Sequence, residues 1–155
     1  MRRRISLLVV ACATLVWSAA IIAAPAADAP RLSAAVYAAG SLICHQRPER
    51  SFHYRGAQYP VCARCMGLYL GAVVGVGAWV VASGIGSRPR QRAAAVTAAR
   101  WRQLLIVVAT PTIVTAATAF LGWWDVSNAA RAILAFPLGA SIAAVITAGA
   151  TRDLR

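Results

Sequence analysis

The chain has 155 residues, 60% of them apolar, with sixteen basic residues against four acidic ones and a formal net charge of +12. A positive mean hydropathy of +0.65 excludes an ordinary soluble domain and places the chain among membrane proteins. Every basic residue is arginine and only two histidines are present, so schemes built on paired carboxylates or lysine nucleophiles have little to draw on.

Four runs carry no charged residue: Ile5 to Ala24, Met66 to Ile85, Leu104 to Trp124 and Ala132 to Ala150. Each is close to the roughly 20 residues a helix needs to cross ~30 Å of hydrocarbon. None alternates as a barrel strand would, so helices satisfy the backbone most economically. The expectation is an all-α integral membrane bundle of about four transmembrane helices, one membrane domain over 1–155, with a single Cys/His-containing loop over about 25–65.

Along the chain, Arg2 to Arg4 before an apolar run and small residues at Ala23 to Ala27 also describe a secretory signal peptide. A signal core runs ~7 to 15 residues; this run is longer and contains Trp17, so a retained anchor is favoured over a three-helix mature protein. Cys12, mid-run, reads as a packing residue. In the loop, Leu32, Val36, Ala39 and Ile43 sit at helical spacing within Arg31 to Ile43, which suits a short interfacial helix, and Pro48, Gly56 and Pro60 enforce turns. Gly67, Gly71 and Gly75 recur every four residues and line one face of the second helix, where another backbone can approach; Gly77 is off that face. Gly84, Gly86 and Pro89 read as an exit turn. Pro111 and Pro137 interrupt helices three and four as kinks, and Trp101, Trp123 and Trp124 suit headgroup-level belts at the ends of helix three.

Orientation follows from the arginines. With the N-terminus inside, ten of the sixteen lie on the cytoplasmic side, namely Arg2, Arg3, Arg4, Arg88, Arg90, Arg92, Arg100, Arg102, Arg152 and Arg155. That gives cytoplasmic termini and an extracytoplasmic Cys/His loop in the plasma (inner) membrane. The charge brackets apolar spans, so it is assigned to the lipid bilayer and its anionic headgroups rather than to nucleic acid.

The chemistry gathers between Cys44 and Cys65. Cys62 and Cys65 form a CxxC pair that can hold a metal or close a disulfide. With Cys44 and an adjacent histidine, the candidate metal ligands are Cys44, His45, Cys62 and Cys65, a tetrahedral set for zinc or another thiophilic metal. Neighbouring Cys44 and His45 reach one ion only through a strained turn, so His45 or His53 is a candidate spectator. Thiols outside the cytoplasm tend to oxidise, which keeps a structural disulfide open. Arg47, Glu49, Arg50 and Arg64, with Arg55 nearby, form a candidate anion or substrate site, because guanidinium groups grip carboxylate or phosphate in pairs; lipid phosphates or loop carbonyls are the alternative partners.

These residues carry a resemblance. Cys44, His45 and Gln46, then Pro48 to Phe52, Pro60 to Cys65, and Gly67, Tyr69 and Gly71 resemble the CHQ, PERSF, CARC, GxYxG signature of an uncharacterised family, a domain of unknown function found in small bacterial and archaeal multi-pass membrane proteins. The match covers 28 residues and departs at Met66, where a small polar residue such as threonine is expected. The resemblance implies a multi-pass membrane protein with a shared site and no assigned activity. Three readings remain: a membrane protein with a Cys/His metal site; a thiol-disulfide oxidoreductase using the CxxC pair, with Cys44 resolving; and a protein or enzyme acting on anionic lipid, with His45 or His53 as base and Asp125 at a headgroup or paired with Arg131.

Overall fold

The computed structural model of the chain describes residues 2–83 and 98–150. Helix α1 covers Arg2–Ala23 and passes through a 3₁₀ turn, Ala24–Ala26, to α2, Pro30–Ser41. A second 3₁₀ turn, Pro48–Arg50, leads into an antiparallel hairpin of β1, Ser51–Tyr54, and β2, Ala57–Cys62; then follow α3, Ala63–Ser83, α4, Ala98–Phe120, and α5, Asn128–Ala150. Among the described residues, four stretches are long and apolar enough to cross a membrane: Ile5–Ala26, Ala63–Val81, Ala99–Phe120 and Asn128–Ala150. The all-α membrane bundle is therefore the architecture, with one small two-stranded sheet added to it.

The helices do not stop where the charge-free runs stop. Helix α3 begins at Ala63 and so takes in Arg64 and Cys65, and α5 begins at Asn128 and takes in Arg131. A charge breaks a span only when it lacks a partner, and Arg131 has Asp125 and Asn128. Helix α4 ends earlier than expected. Its last turn closes with Gly122 N–H to the Ala119 carbonyl (3.4 Å) and Trp123 N–H to the Thr118 carbonyl (3.0 Å), while Gly122 takes φ +70°. That is a Schellman stop with glycine in the left-handed position, and it leaves Trp123 and Trp124 beyond the helix.

Glycine positions α3 against α5. A Cβ at Gly67, Gly71 or Gly75 would overlap the carbonyl oxygens of Ala132, Phe136 and Ala140 respectively, and one at Gly139 would overlap the Leu68 carbonyl. The two backbones are in direct contact, as small residues allow in lipid. Gly77, off that face, meets open space. Helices α4 and α5 continue through Pro111 and Pro137. The Thr112 hydroxyl donates to the Leu134 carbonyl (2.9 Å), one turn before Pro137, where the proline disturbs the ladder.

The short helix α2 differs from its expected face. Val36 and Gly40 are buried, whereas Leu32 and Ile43 are exposed. Cys12 is likewise exposed on the outer side of α1 rather than packed. The Gly84, Gly86, Pro89 turn, Ile85, and the topology arginines 88, 90, 92, 152 and 155 lie outside the described residues.

The hairpin turns at Arg55 (φ 49°) and Gly56 (φ 86°), two consecutive left-handed residues that define the tight turn matching strand twist. Pairing runs Ser51 to Cys62, His53 to Gln58 and Tyr54 to Ala57, with an irregularity between Ser51 and His53. Pro60, which has no N–H to offer a ladder, sits on β2 opposite that irregularity. The register puts Cys62 at the end of β2, immediately before the first residue of α3.

Candidate metal centre

The Sγ atoms of Cys44, Cys62 and Cys65 lie within 4.8 Å of one another. Cys62 and Cys65 come together because they occupy the N-cap and third positions of α3, one helical turn apart on the same side. Cys44 arrives from another direction. After α2 the chain turns through Cys44 N–H to the Gly40 carbonyl (2.9 Å), and the Cys62 backbone N–H donates to Cys44 Sγ at 3.1 Å. Cys44 and Cys62 are buried and Cys65 is half-buried, in a core with Ile21, Val61 and Met66, against which Trp17, Phe52, Tyr59 and Tyr69 pack. Trp17 of α1 meets Tyr69 of α3 edge-on, with ring centroids 6.0 Å apart.

Gln46 holds this arrangement. It takes φ 48°, and its side-chain amide donates to the Tyr37 carbonyl (2.8 Å) and the Pro60 carbonyl (2.7 Å). Gln58 returns the tie, donating to the Gln46 carbonyl (2.6 Å) and to the Ser51 hydroxyl (3.2 Å). Tyr37 donates its hydroxyl to the Gln58 carbonyl. Gly40 is required here, since a Cβ would overlap the Pro60 carbonyl oxygen. The resemblance singled out Gln46 within CHQ; the roles of Gly40, Tyr37 and Gln58 carry no sequence signal beyond their proximity.

The Cys62 thiol is lowered to about 5, first because it accepts a hydrogen bond from the Cys65 side chain. Burial opposes this; the Cys65 backbone N–H, the Cys44 side chain and the charge of His45 reinforce it. A sulfur at a helix N-terminus facing N–H donors is a stabilised thiolate. Neither histidine belongs to the group of converging ligand atoms among the described residues. His45 is exposed, with Nδ1 accepting from the Arg47 N–H (3.1 Å), and His53 is exposed on β1.

A second cluster lies on the other side of α3. Arg64 donates to the Thr115 hydroxyl of α4 at 3.5 Å. Arg131, only 5% exposed, pairs with Asp125 (2.5 Å) and Asn128, and Arg50 stands 3.9 Å from Asp125. The Asp125 carboxyl is held below its usual range by the Arg131 hydrogen bond first, with Arg50 and Arg64 adding their charge. Asn128 also donates to the Glu49 (3.3 Å) and Ser51 (3.0 Å) carbonyls, so the hairpin and the α4–α5 loop sit at one end of the bundle. Of the four residues expected at an anion site, Arg50 and Arg64 enter this cluster, whereas Arg47 and Glu49 are exposed and contribute main-chain contacts. Arg131 was visible in the sequence only as a partner for Asp125.

Four apolar spans with three thiols converging at their boundary define a multi-pass membrane protein carrying a three-cysteine centre. Residues 44–145 match the family described as "Predicted membrane protein (DUF2085)", and the chain belongs to that family. It is 53% identical over 45 residues to an uncharacterised protein of Methanocaldococcus jannaschii, a match covering 29% of each chain. It is 63% identical over 30 residues to an uncharacterised protein of Methanothermobacter thermautotrophicus, covering 19% of this chain and 27% of that one. The chain thus spans under a third of the length of either relative. No solved structure matches it significantly.

Proposed function

We propose that Cys44, Cys62 and Cys65 bind a thiophilic metal ion, zinc first among them, and that this metal centre at the bilayer boundary is where the protein acts. The observation that carries the reading is that three thiols from two separate segments, Cys44 and the Cys62–Cys65 pair, lie within 4.8 Å of one another. Sulfurs at ~2.3 Å around one tetrahedral ion stand about 3.8 Å apart, so the cluster needs little adjustment to bind. The backbone N–H on Cys44 Sγ and the depressed Cys62 thiol supply the thiolate character a soft ion requires. His45 takes the fourth position only by giving up its Nδ1 bond to Arg47, because an imidazole binding metal through Nε2 carries its proton on Nδ1. Otherwise the fourth position is open to solvent or a substrate donor, the pattern of a reactive rather than a purely structural site.

The low Cys62 thiol also supports a second reading, thiol-disulfide exchange. There a substrate thiolate attacks the oxidised Cys62–Cys65 bridge at Cys65, Cys62 leaves as the stabilised thiolate, and the second substrate thiolate displaces Cys65, so the substrate departs as a disulfide. The reduced Cys62–Cys65 pair then passes two electrons and two protons to a quinone-type acceptor, which re-forms the bridge. The weakness is the odd thiol count, since such relays use two pairs and only Cys44 remains. In either reading the centre faces the extracytoplasmic side of the plasma membrane and both termini face the cytoplasm.

Metal analysis of the full chain, purified in neutral detergent without chelator, separates the two. The expected result is about one metal ion per chain, lost in Cys62→Ser and Cys65→Ser, with all four cysteines titrating as free thiols after denaturation without reductant. A metal-free protein with a reducible Cys62–Cys65 bridge overturns the metal reading in favour of exchange. A membrane-impermeant thiol reagent tests the orientation: after metal removal, labelling of Cys65 in permeabilised cells but not in intact ones places the centre in the cytoplasm.

A further inference from the structure

We propose that Arg50, Arg64 and Arg131, gathered around Asp125 where the hairpin meets the α4–α5 loop, form a binding site for a phosphomonoester oxyanion. The site is separate from the thiols and lies across α3 from them.

The argument begins with charge. Arg131 and Arg50 pair with Asp125, and the guanidinium of Arg64, held on the Thr115 hydroxyl, adds a third positive charge to the same end of the bundle, so three arginines stand against one carboxylate. A structural ion pair needs one arginine for one aspartate, and Arg131 with Asp125 already makes it. Two further arginines, Arg50 at 3.9 Å from the same carboxylate and Arg64 on Thr115, leave positive charge that something else must neutralise. Burial sharpens the point. Arg131 is 5% exposed, and among the described residues neither its Nε nor the buried Nε of Arg64 has a hydrogen-bond partner. Buried donors on charged groups are ordinarily satisfied, and an ionisable side chain inside a membrane helix ordinarily marks a functional site. Here two such donors come from α3 and α5, the helices whose backbones touch at Gly67 and Ala132, and one of the two guanidiniums, Arg131, already holds Asp125.

The ligand class follows from geometry and balance. A carboxylate offers two oxygens and one charge, which cannot serve arginines arriving from three separate elements. A phosphomonoester offers three terminal oxygens and close to two charges, matching both the number of guanidiniums and their excess, and arginine binds phosphate oxygens in a planar fork. Access runs past Asp125, whose side chain is 47% exposed. The flanking Phe120, Trp123 and Trp124 are strongly exposed at the end of a span, the depth at which lipid headgroups lie. The same chemistry is offered by the headgroup of phosphatidic acid and by free inorganic phosphate.

The test uses the full chain. In neutral detergent, inorganic phosphate is titrated against chloride at fixed ionic strength while the thermal unfolding midpoint is followed. In parallel, the protein is reconstituted into phosphatidylcholine vesicles with and without phosphatidic acid, and retained lipid is read by native mass spectrometry. A saturable rise with phosphate identifies free anion; selective retention of phosphatidic acid identifies the lipid; either supports the site. Arg131→Gln risks misfolding, so Arg64→Gln and Asp125→Asn carry the test. Arg64→Gln should weaken binding at least about tenfold, the loss of one charge-assisted contact. Asp125→Asn, which removes the competing carboxylate, should tighten it and let phosphate restore a lowered midpoint. Folded wild-type protein showing no saturable response in either arm, unchanged affinity in Arg64→Gln, or weaker binding in Asp125→Asn overturns the proposal.

Discussion

Replacing Gln46 with alanine removes no sulfur, yet it should loosen the centre. The side-chain amide supports the Tyr37 and Pro60 carbonyls at 2.8 and 2.7 Å, and Pro60 is buried two residues before Cys62. Two lost hydrogen bonds at about 1 kcal/mol each, plus about 1 to 2 kcal/mol for a buried carbonyl left bare, give roughly 3 to 4 kcal/mol of local destabilisation. Part of this reaches the metal, because Gln46 fixes the segment that delivers Cys44 onto Cys62; outer supports of this kind are worth about 10- to 100-fold in affinity. Gln46→Gly loses the same bonds but relieves the left-handed φ of 48°, worth about 1 kcal/mol. The expected order of affinity is therefore wild type, then Gln46→Gly, then Gln46→Ala. Competition against a chromophoric chelator measures it, with thermal melting as the check on folding. Folded Gln46→Ala within twofold of wild type, or binding more tightly than Gln46→Gly, refutes the role given to this side chain.

Two other outcomes follow from the geometry. In metal-stripped protein, alkylation of Cys62 should rise with pH through about 5, where an ordinary thiol responds near ~8.5, and the low-pH phase should vanish in Cys62→Ser; because the thiolate is lost as pH falls through that value, metal occupancy should fall in the same acid window. Gly71→Ala forces a methyl onto the Phe136 carbonyl, and backbone cannot move aside cheaply, so a loss of about 1 to 3 kcal/mol is expected. Gly77→Ala, which meets open space, should be neutral or stabilising by up to about 1 kcal/mol; equal melting shifts for the two variants would contradict the α3–α5 contact.

The four spans were legible because bilayer thickness sets a minimum apolar length that few soluble helices reach. Their ends were not legible from charge alone. Arg131 lies inside α5 because Asp125 and Asn128 satisfy it, and a rule that stops a helix at the first arginine knows nothing of partners three and six residues back. At the other end of the loop, Gly122 is the sequence feature that marks the end of α4, since a glycine takes the left-handed φ of 70° without strain. The hairpin was visible as turns at Gly56 and Pro60 but not as strands, since Ser51–Tyr54 and Ala57–Cys62 are too short to show a period. The closeness of Cys62 and Cys65 needed only the CxxC spacing. The place of Cys44 depended on long-range bonds through Gln46 and Gly40, which no local pattern announces.

The sequence CARC distributes two chemistries around one helix. Successive residues of an α-helix turn by about 100°, so Cys62 and Cys65, three apart, share a side that continues to Tyr69, and this side meets Trp17 of α1 and the hairpin. Arg64 points away from them by roughly 100° or more and shares its side with Gly67, Gly71 and Gly75. Those glycines let the α5 backbone touch α3, and it is this approach that brings Arg131, one residue before the Ala132 carbonyl that Gly67 meets, to the level of Arg64. A bulkier residue at Gly67 would therefore part the two arginines as well as the two helices. The glycine face and the arginine cluster are one device, while the sulfur face depends on α1, α2 and the hairpin. Damage to the α3–α5 seam should reach the anion site before the thiols, and damage to Gln46 the reverse.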